Sequence, residues 1–405
     1  MEKITKKDFT LENVVLLFLF LASMRPWPLW GVESIYINIV VLLIIAAKRG
    51  FGSFFRNMSF GSMLFLITLM WMHKNANIFG FVEVFIQWTI ISYIISLPEF
   101  YKTEAIKFII KGFAVLSAIS LIVYIYVSIG GSFPHSAYQF GTYRYEHINY
   151  FFFLKTEGSY RFNSIFAEPG FYTMGVASLL FLSNYNLRNR YIQILFISQL
   201  FTFSLAGYVI LFIGYILNLF FLGKAAFSFK ALLPIVSVIL FSMLSIYIYS
   251  DNLIDSLIME RLQLEDGNIV GDDRSSLYLD AVYDRIIHSS DIYAGYTQWN
   301  VSLSEKGVAG YKLFIVQHGL IGLILCLITY FVTIRNNAGK SVQKWGFYII
   351  LLLLLYQNAY PYWWCMIIAC ICGSTYLKKN QENRSLINPK KFNKDENIIY
   401  STCNR

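Results

Sequence analysis

Residues 161–170 read RFNSIFAEPG and run directly into an apolar segment, FYTMGVASLLFL. A guanidinium, Arg161, and a carboxylate, Glu168, therefore stand at the lip of a hydrophobic run. A guanidinium stays charged, and its fork of donors matches phosphate oxygens two at a time. A carboxylate within hydrogen-bond reach of a hydroxyl can take its proton. Plainer roles are open too. Pro169 suits the first turn of a helix, where its missing N–H is no loss. Glu168 would then sit at the helix mouth, where free N–H groups and the dipole favour negative charge. Arg161 could pair with it or extend to a headgroup.

Upstream, the segment YRYEHINYFFFLKTEGSYRFNSIFAEPG balances Arg144, Lys155 and Arg161 against Glu146, Glu157 and Glu168, and it contains His147. Aromatics crowd it: Tyr143, Tyr145, Tyr150, Phe151, Phe152, Phe153, Tyr160, Phe162 and Phe166. They suit either an interfacial belt, where rings settle at headgroup level, or a platform for sugar rings or lipid. A second polar segment, GDDRSSLYLDAVYDRIIHSS (271–290), reads as a helix capped by Asp272, Asp273 or Ser275. Arg274 and Arg285 fall on one face with Tyr278 between them, about 16 Å apart along the axis. Arg274, near the helix start, is the better anion ligand. Arg285 could instead pair with Asp280, Asp284 or another acid of the segment, and His288 follows it. Asp272 and Asp273, with Glu265 and Asp266 upstream, do not match the spacing of a calcium loop. Cys370 and Cys372 lack zinc-site spacing and read as small apolar residues. No metal or other cofactor is expected.

The elements that must carry these residues are set by hydropathy. The chain has 405 residues, 57% hydrophobic and 14% charged, well below the roughly one quarter charged of a soluble domain. The composition marks an integral membrane protein. Runs suited to spanning a bilayer lie near 12–24, 34–47, 58–73, 78–97, 108–129, 170–184, 191–204, 206–222, 231–250, 307–334, 345–357 and 361–377. The predicted fold is thus an all-α polytopic membrane protein of about twelve transmembrane helices. The first run follows Lys3, Lys6 and Lys7 without a cleavage site and reads as a retained helix. With the N-terminus inside, the inner connections hold 23 of the 33 Lys and Arg, which places both termini in the cytoplasm. Two long loops, about 130–168 and 251–306, then face outward; the second carries eleven acids against four bases. Residues 1–377 form one membrane domain, and 378–405 read as a disordered basic tail held near anionic lipid. The net charge of +9 reflects this inner-face bias and implies no nucleic acid.

An arginine, a short apolar link and F-x-E-P-G leading into a transmembrane helix resemble the signature of bacterial O-antigen and capsule polymerases of the Wzy type. The matching residues are Arg161, Phe166, Glu168, Pro169 and Gly170. The helix number, the two long outer loops, the near-hairpin around FTFSLAGYVIL (201–211) and the late GLIG (319–322) fit the same group, which includes the O-antigen ligases. The resemblance implies a GT-C-like fold in the bacterial inner membrane. It implies glycosyl transfer between undecaprenyl-diphosphate-linked oligosaccharides at the outer face, alongside a flippase and a chain-length regulator. On that reading Arg161 and Arg274 neutralise the diphosphate, with Arg285 second in line. Glu168 is base or organiser of Arg161, His147 and His288 are alternative bases, and Arg144 and Tyr278 contact substrate. The ligases carry a histidine about ten residues before the late glycine; here Val308 and Ala309 occupy that place. His318 is not that residue and reads most simply as a packed histidine, although one in the outer half of a helix is costly. A ligase, a transporter or flippase, and a non-catalytic subunit of an assembly complex remain alternatives.

Overall fold

The computed structural model describes residues 10–50, 52, 59–139, 146–156, 161–222, 264–265, 268–269, 277–296, 310–357 and 360–387. Helices dominate. The first group is α1 (Leu11–Ala22), α2 (Ser34–Arg49), α3 (Phe60–Met72), α4 (Ile78–Ser96) and α5 (Glu99–Ser128). Side-chain oxygens start three of them: Thr10, Ser59 and Asn77 accept the N–H of Asn13, Ser62 and Gly80. A middle group follows, α6 (Pro169–Leu182), α7 (Arg190–Leu200) and α8 (Leu205–Leu222). After α9 (Leu277–Ile287) and α10 (Asp291–Ala294) come α11 (Gly310–Ala338), α12 (Lys344–Gln357), α13 (Trp364–Ile368), a π-turn over Ala369–Gly373, and α14 (Ser374–Ile387).

Among the described residues, three helices are long and apolar enough to cross a membrane: α4, α5 and α11. Five apolar helices are shorter: α1, α3, α6, α8 and α12. Large apolar side chains point outward from several of them, among them Ile122, Phe212 and Phe220. Such a surface is costly in water and suits lipid. Inside, polar pairs tie apolar helices together, as expected where burial alone gives no preference between lipid and protein. Thr68 and Thr329 share a 2.7 Å hydrogen bond between α3 and α11. Tyr172 of α6 bonds Ser117 of α5 at 2.8 Å and Ser198 of α7.

The structure departs from the hydropathy reading in three places. Helix α5 begins at Glu99, not near 108, because Pro98 starts it and a Lys107–Glu104 pair at 2.8 Å supports its polar first turns. Helix α14 continues past Lys378 to Ile387, into the segment read as tail; Lys378 is held by Glu99 at 2.6 Å. The first long loop contains an antiparallel meander, β1 (Ser136–Gln139), β2 (Glu146–Asn149) and β3 (Leu154–Thr156), with His147 opposite Tyr138 and Thr156. A second, smaller hairpin joins β4 (Leu264–Glu265) to β5 (Asn268–Ile269). The predicted helix 231–250 lies outside the described residues.

Connections that charge assigns to one side do meet. At one end Glu12 pairs with Arg49, and Val342 N–H donates to Gln381. There Gln343 also joins Asn184 and Asn218. At the other end the meander, the 161–168 stretch, the α7–α8 corner and the segment before α13 converge. Trp27 Nε1 donates to Phe151 O at 2.7 Å, Trp27 N to Ile165 O at 2.9 Å, and Phe162 N to Phe201 O at 2.9 Å.

Candidate functional site

The 161–168 stretch has little regular structure of its own, so neighbours must satisfy its backbone. Leu154 N donates to Ser164 O at 2.8 Å, and Phe166 bridges to Pro26. Ser164 takes a positive φ of 55°, which turns the chain between two inward-facing rings. Phe162 and Phe166 are fully buried, packed edge-on against Tyr172 and Phe113 respectively, and Phe153 stacks on Phe162. Three of the loop's nine aromatics are thus core, neither belt nor platform. Phe151 and Phe152 remain exposed beside Trp27. Tyr143, Tyr145 and Tyr160 lie outside the described residues.

Anchored in this way, the stretch delivers Glu168 to the N-cap position of α6, with Pro169 in the first turn. Its carboxylate makes no capping hydrogen bond. It forms no ion pair with a described residue, so Glu168 stands at the helix mouth as expected, with the dipole and no side-chain hydrogen bond to favour it there. Arg161 does not reach it either. The Arg161 Nε donates to Thr202 O at 3.3 Å, which turns the guanidinium toward the α7–α8 corner and Tyr208. The two residues flank the same stretch and serve different neighbours.

What surrounds Glu168 was not evident from the sequence. Gly170 lies against Gln357 at the end of α12: a Cβ there would be 3.5 Å from Gln357 Nε2. Phe171 packs edge-on to Trp363, and Trp363 stacks on Tyr360 at 4.7 Å. Arg25 reaches the same rings, its Cζ 6.0 Å from the Trp363 centroid. Burial pushes the Tyr360 hydroxyl above its ordinary pKa; Arg25 draws it down and Glu168 raises it further. Both charges therefore act on one hydroxyl. Arg25 is exposed and unpaired among the described residues, in a left-handed backbone (φ 52°) between the end of α1 and Pro26. In the sequence it was one outer base among ten. The prolines of MRPWPLW and the ring cluster YPYWW were the only local hints.

His147 is brought beneath this point. It is buried, and its Nε2 donates to Ala167 O at 3.1 Å, next to Glu168. A carbonyl only accepts, so Nε2 carries a proton. The ring's Nδ1 is buried without a partner, as are Asn163 Oδ1 and Gln357 Oε1. Trp30 packs edge-on to the ring at 5.4 Å. His147 thus supports the main chain before Glu168 from below.

The second loop's residues divide. Arg144 and Arg274 lie outside the described residues, as do Asp272 and Asp273. Helix α9 is described from Leu277 and ends at Ile287, three residues before the expected end at 290. Arg285 is exposed and does not pair with a neighbouring acid: its Cζ lies 5.8 Å from the Tyr296 ring. Asp280 is instead bridged by Lys312 of α11 at 2.7 Å. Tyr278 is half-buried. His288 is exposed, its Nδ1 bonded to Asp284 O at 2.8 Å, which leaves Nε2 facing out. Among the described residues no group of three His, Cys, Asp or Glu could hold a metal ion. Cys326, Cys365, Cys370 and Cys372 are free and buried in helix packing.

Chemically, the arrangement offers an uncommitted carboxylate at a helix N-terminus, an exposed guanidinium, and orphaned polar atoms between aromatic walls. Compared with known proteins, the chain matches no family model, no curated protein and no solved structure.

Proposed function

We propose that this chain is a membrane glycosyltransferase of the repeat-unit polymerase type. It would join undecaprenyl-diphosphate-linked oligosaccharides at the outer face of a bacterial cytoplasmic membrane, spanning it about twelve times in a GT-C-like fold. The supporting observation is Glu168: a carboxylate at a helix mouth that makes no capping hydrogen bond and no ion pair with a described residue. A structural carboxylate would be bonded; one free to meet an acceptor hydroxyl suits a base. Two large anionic substrates must also be held in line. Arg25 and Arg161 flank Glu168 on different sides, Arg285 stands exposed on α9, and Arg274 would join them from the second loop. Permanent positive charge at these positions would neutralise the diphosphate as it departs. His147 has its Nε2 committed to Ala167 and serves to position Glu168. His288 keeps the role of alternative base. A chain-length regulator and a flippase are the expected partners.

Polymer length in cells carrying Glu168→Gln, Arg161→Ala or Arg25→Ala tests this. Loss of polymer, with single repeat units still reaching the surface, is expected at normal protein levels. Wild-type chain length in all three would end the proposal. A second reading, a carrier or flippase for lipid-linked glycan, draws on the break in α11 at Gly319, since broken helices line transport sites. It predicts that deletion strands repeat units on the inner leaflet, whereas the polymerase reading places them on the outer one.

A further inference from the structure

Helix α11 is two helices end to end. Gly319 has φ 66° and ψ −176°, and it interrupts the helical backbone. A break exposes the last carbonyls of one half and the first N–H groups of the other. The carbonyl end is provided for. Tyr296 N donates to Val316 O at 2.7 Å, and Trp71 Nε1 donates to His318 O at 2.9 Å. Close packing holds the break open, since a Cβ at Gly319 would lie 2.4 Å from Tyr293 O. The N–H end is different. The second half starts at Leu320, and its first turn includes Gly322, whose missing side chain lets His318 and the Trp71 indole close in on that turn: a Cβ there would lie 2.6 Å from His318 Cβ and 3.3 Å from Trp71 Nε1.

Two polar groups at this break have no hydrogen-bond partner among the described residues. His318 is 6% exposed, and neither of its ring nitrogens makes a hydrogen bond. The Nζ of Lys74 is buried without a hydrogen bond, and lies 4.7 Å from the Trp71 ring centroid. The Lys74 charge acts on His318 directly, as does His73. His318 is packed as expected, edge-on to Phe314 at 5.0 Å, but among the described residues its ring nitrogens are not satisfied. An orphaned imidazole and an orphaned ammonium in one protein interior cost free energy. A helix N-terminus beside them adds positive potential. Both orphaned side chains lack the same thing, an acceptor, and the helix start beside them favours an anionic one.

We infer that the break in α11 is an anion-binding site, in which Lys74, His318 and the first-turn N–H groups of Leu320–Gly322 take up one phosphoryl group. The inference does not rest on the transferase reading, and the site is built from other residues than Glu168 and Arg161. A phosphoryl group offers several acceptor oxygens, enough for an ammonium, an imidazole N–H and backbone donors together. It could belong to a phospholipid or to a soluble phosphate.

The test uses the purified full chain in non-ionic detergent and in phosphatidylcholine vesicles with or without phosphatidylglycerol. Acylation of Lys74 is followed by mass spectrometry, and thermal unfolding is followed in parallel. Pyrophosphate in detergent, or phosphatidylglycerol in vesicles, is expected to protect Lys74 and raise the unfolding midpoint. Protection by pyrophosphate identifies a soluble ligand, and protection only by phosphatidylglycerol a headgroup. His318→Leu should fold at least as stably, because it removes an unpartnered buried ring, yet require about tenfold more ligand for the same protection. Lys74→Arg should retain the midpoint shift and Lys74→Met lose it. Absence of protection by both probes, or protection unchanged in His318→Leu, overturns the site.

Discussion

At the mouth of α6, Pro169 sets the backbone of the first turn, and the Glu168 carboxylate makes no capping hydrogen bond and no ion pair with a described residue. Its contribution to stability should therefore be small. Glu168→Gln should shift unfolding by less than about 0.5 kcal/mol, as for a surface change away from special features. Asn77, by contrast, accepts the Gly80 N–H at 3.1 Å, and Asn77→Ala should cost about 1 kcal/mol. Denaturation of the two variants side by side separates a chemical carboxylate from a structural one; equal losses would make Glu168 a cap. His147 behaves oppositely. His147→Ala removes the donor to Ala167 O and opens a hole beside Trp30, so stability should fall by about 2 kcal/mol together with activity.

Helices here are placed by what they lack as much as by what they carry. Gly175 lets α6 approach α1 and α5: a Cβ there would lie 2.7 Å from Met24 Sδ and 2.8 Å from Phe113 Cε1. Gly175→Val should lower stability by about 1–3 kcal/mol through overpacking, read as a lower unfolding midpoint in detergent. Gly319 has a double constraint, its positive φ and its contact with the Tyr293 carbonyl. Gly319→Ala should therefore cost more than about 2 kcal/mol and release α10 from α11, detectable as faster hydrogen exchange at Tyr296. The late GLIG motif could be noticed in the sequence, but its glycines read as a family feature only. That Gly319 breaks a helix follows from Gly295 and Trp71, which approach from elements distant in the chain.

Across the whole molecule, the two ends of the helical bundle collect the connections that Lys and Arg counting assigns to opposite faces. If those ends face opposite compartments, a cysteine at exposed His288 will react with an impermeant thiol reagent in intact cells. One at exposed Arg188 will react only after lysis. Labelling is done in a background lacking the native cysteines; equal reaction of both positions in intact cells would refute the topology. Two positions of the bundle ends show what the chain alone could not reveal. Arg25 and Lys74 were simply two outer bases in the count, yet one stands at the Trp363 ring near Glu168 and the other at the break in α11.

Hydropathy and charge bias are sums over neighbouring residues, so the sequence by itself determined that the chain is helical and apolar. It also set roughly where the helices lie and which connections share an end. Pro169 likewise announced the start of α6, because a proline acts on its own backbone. Tertiary structure alone decided that Glu168 makes no capping hydrogen bond, that Arg161 turns to Thr202, and that His147 supports Ala167. It also decided that Phe153, Phe162 and Phe166 are core and that α11 breaks beside an orphaned His318. Each of these depends on a partner brought from far along the chain, and a hydrogen bond or its absence is a property of two positions that no local pattern encodes.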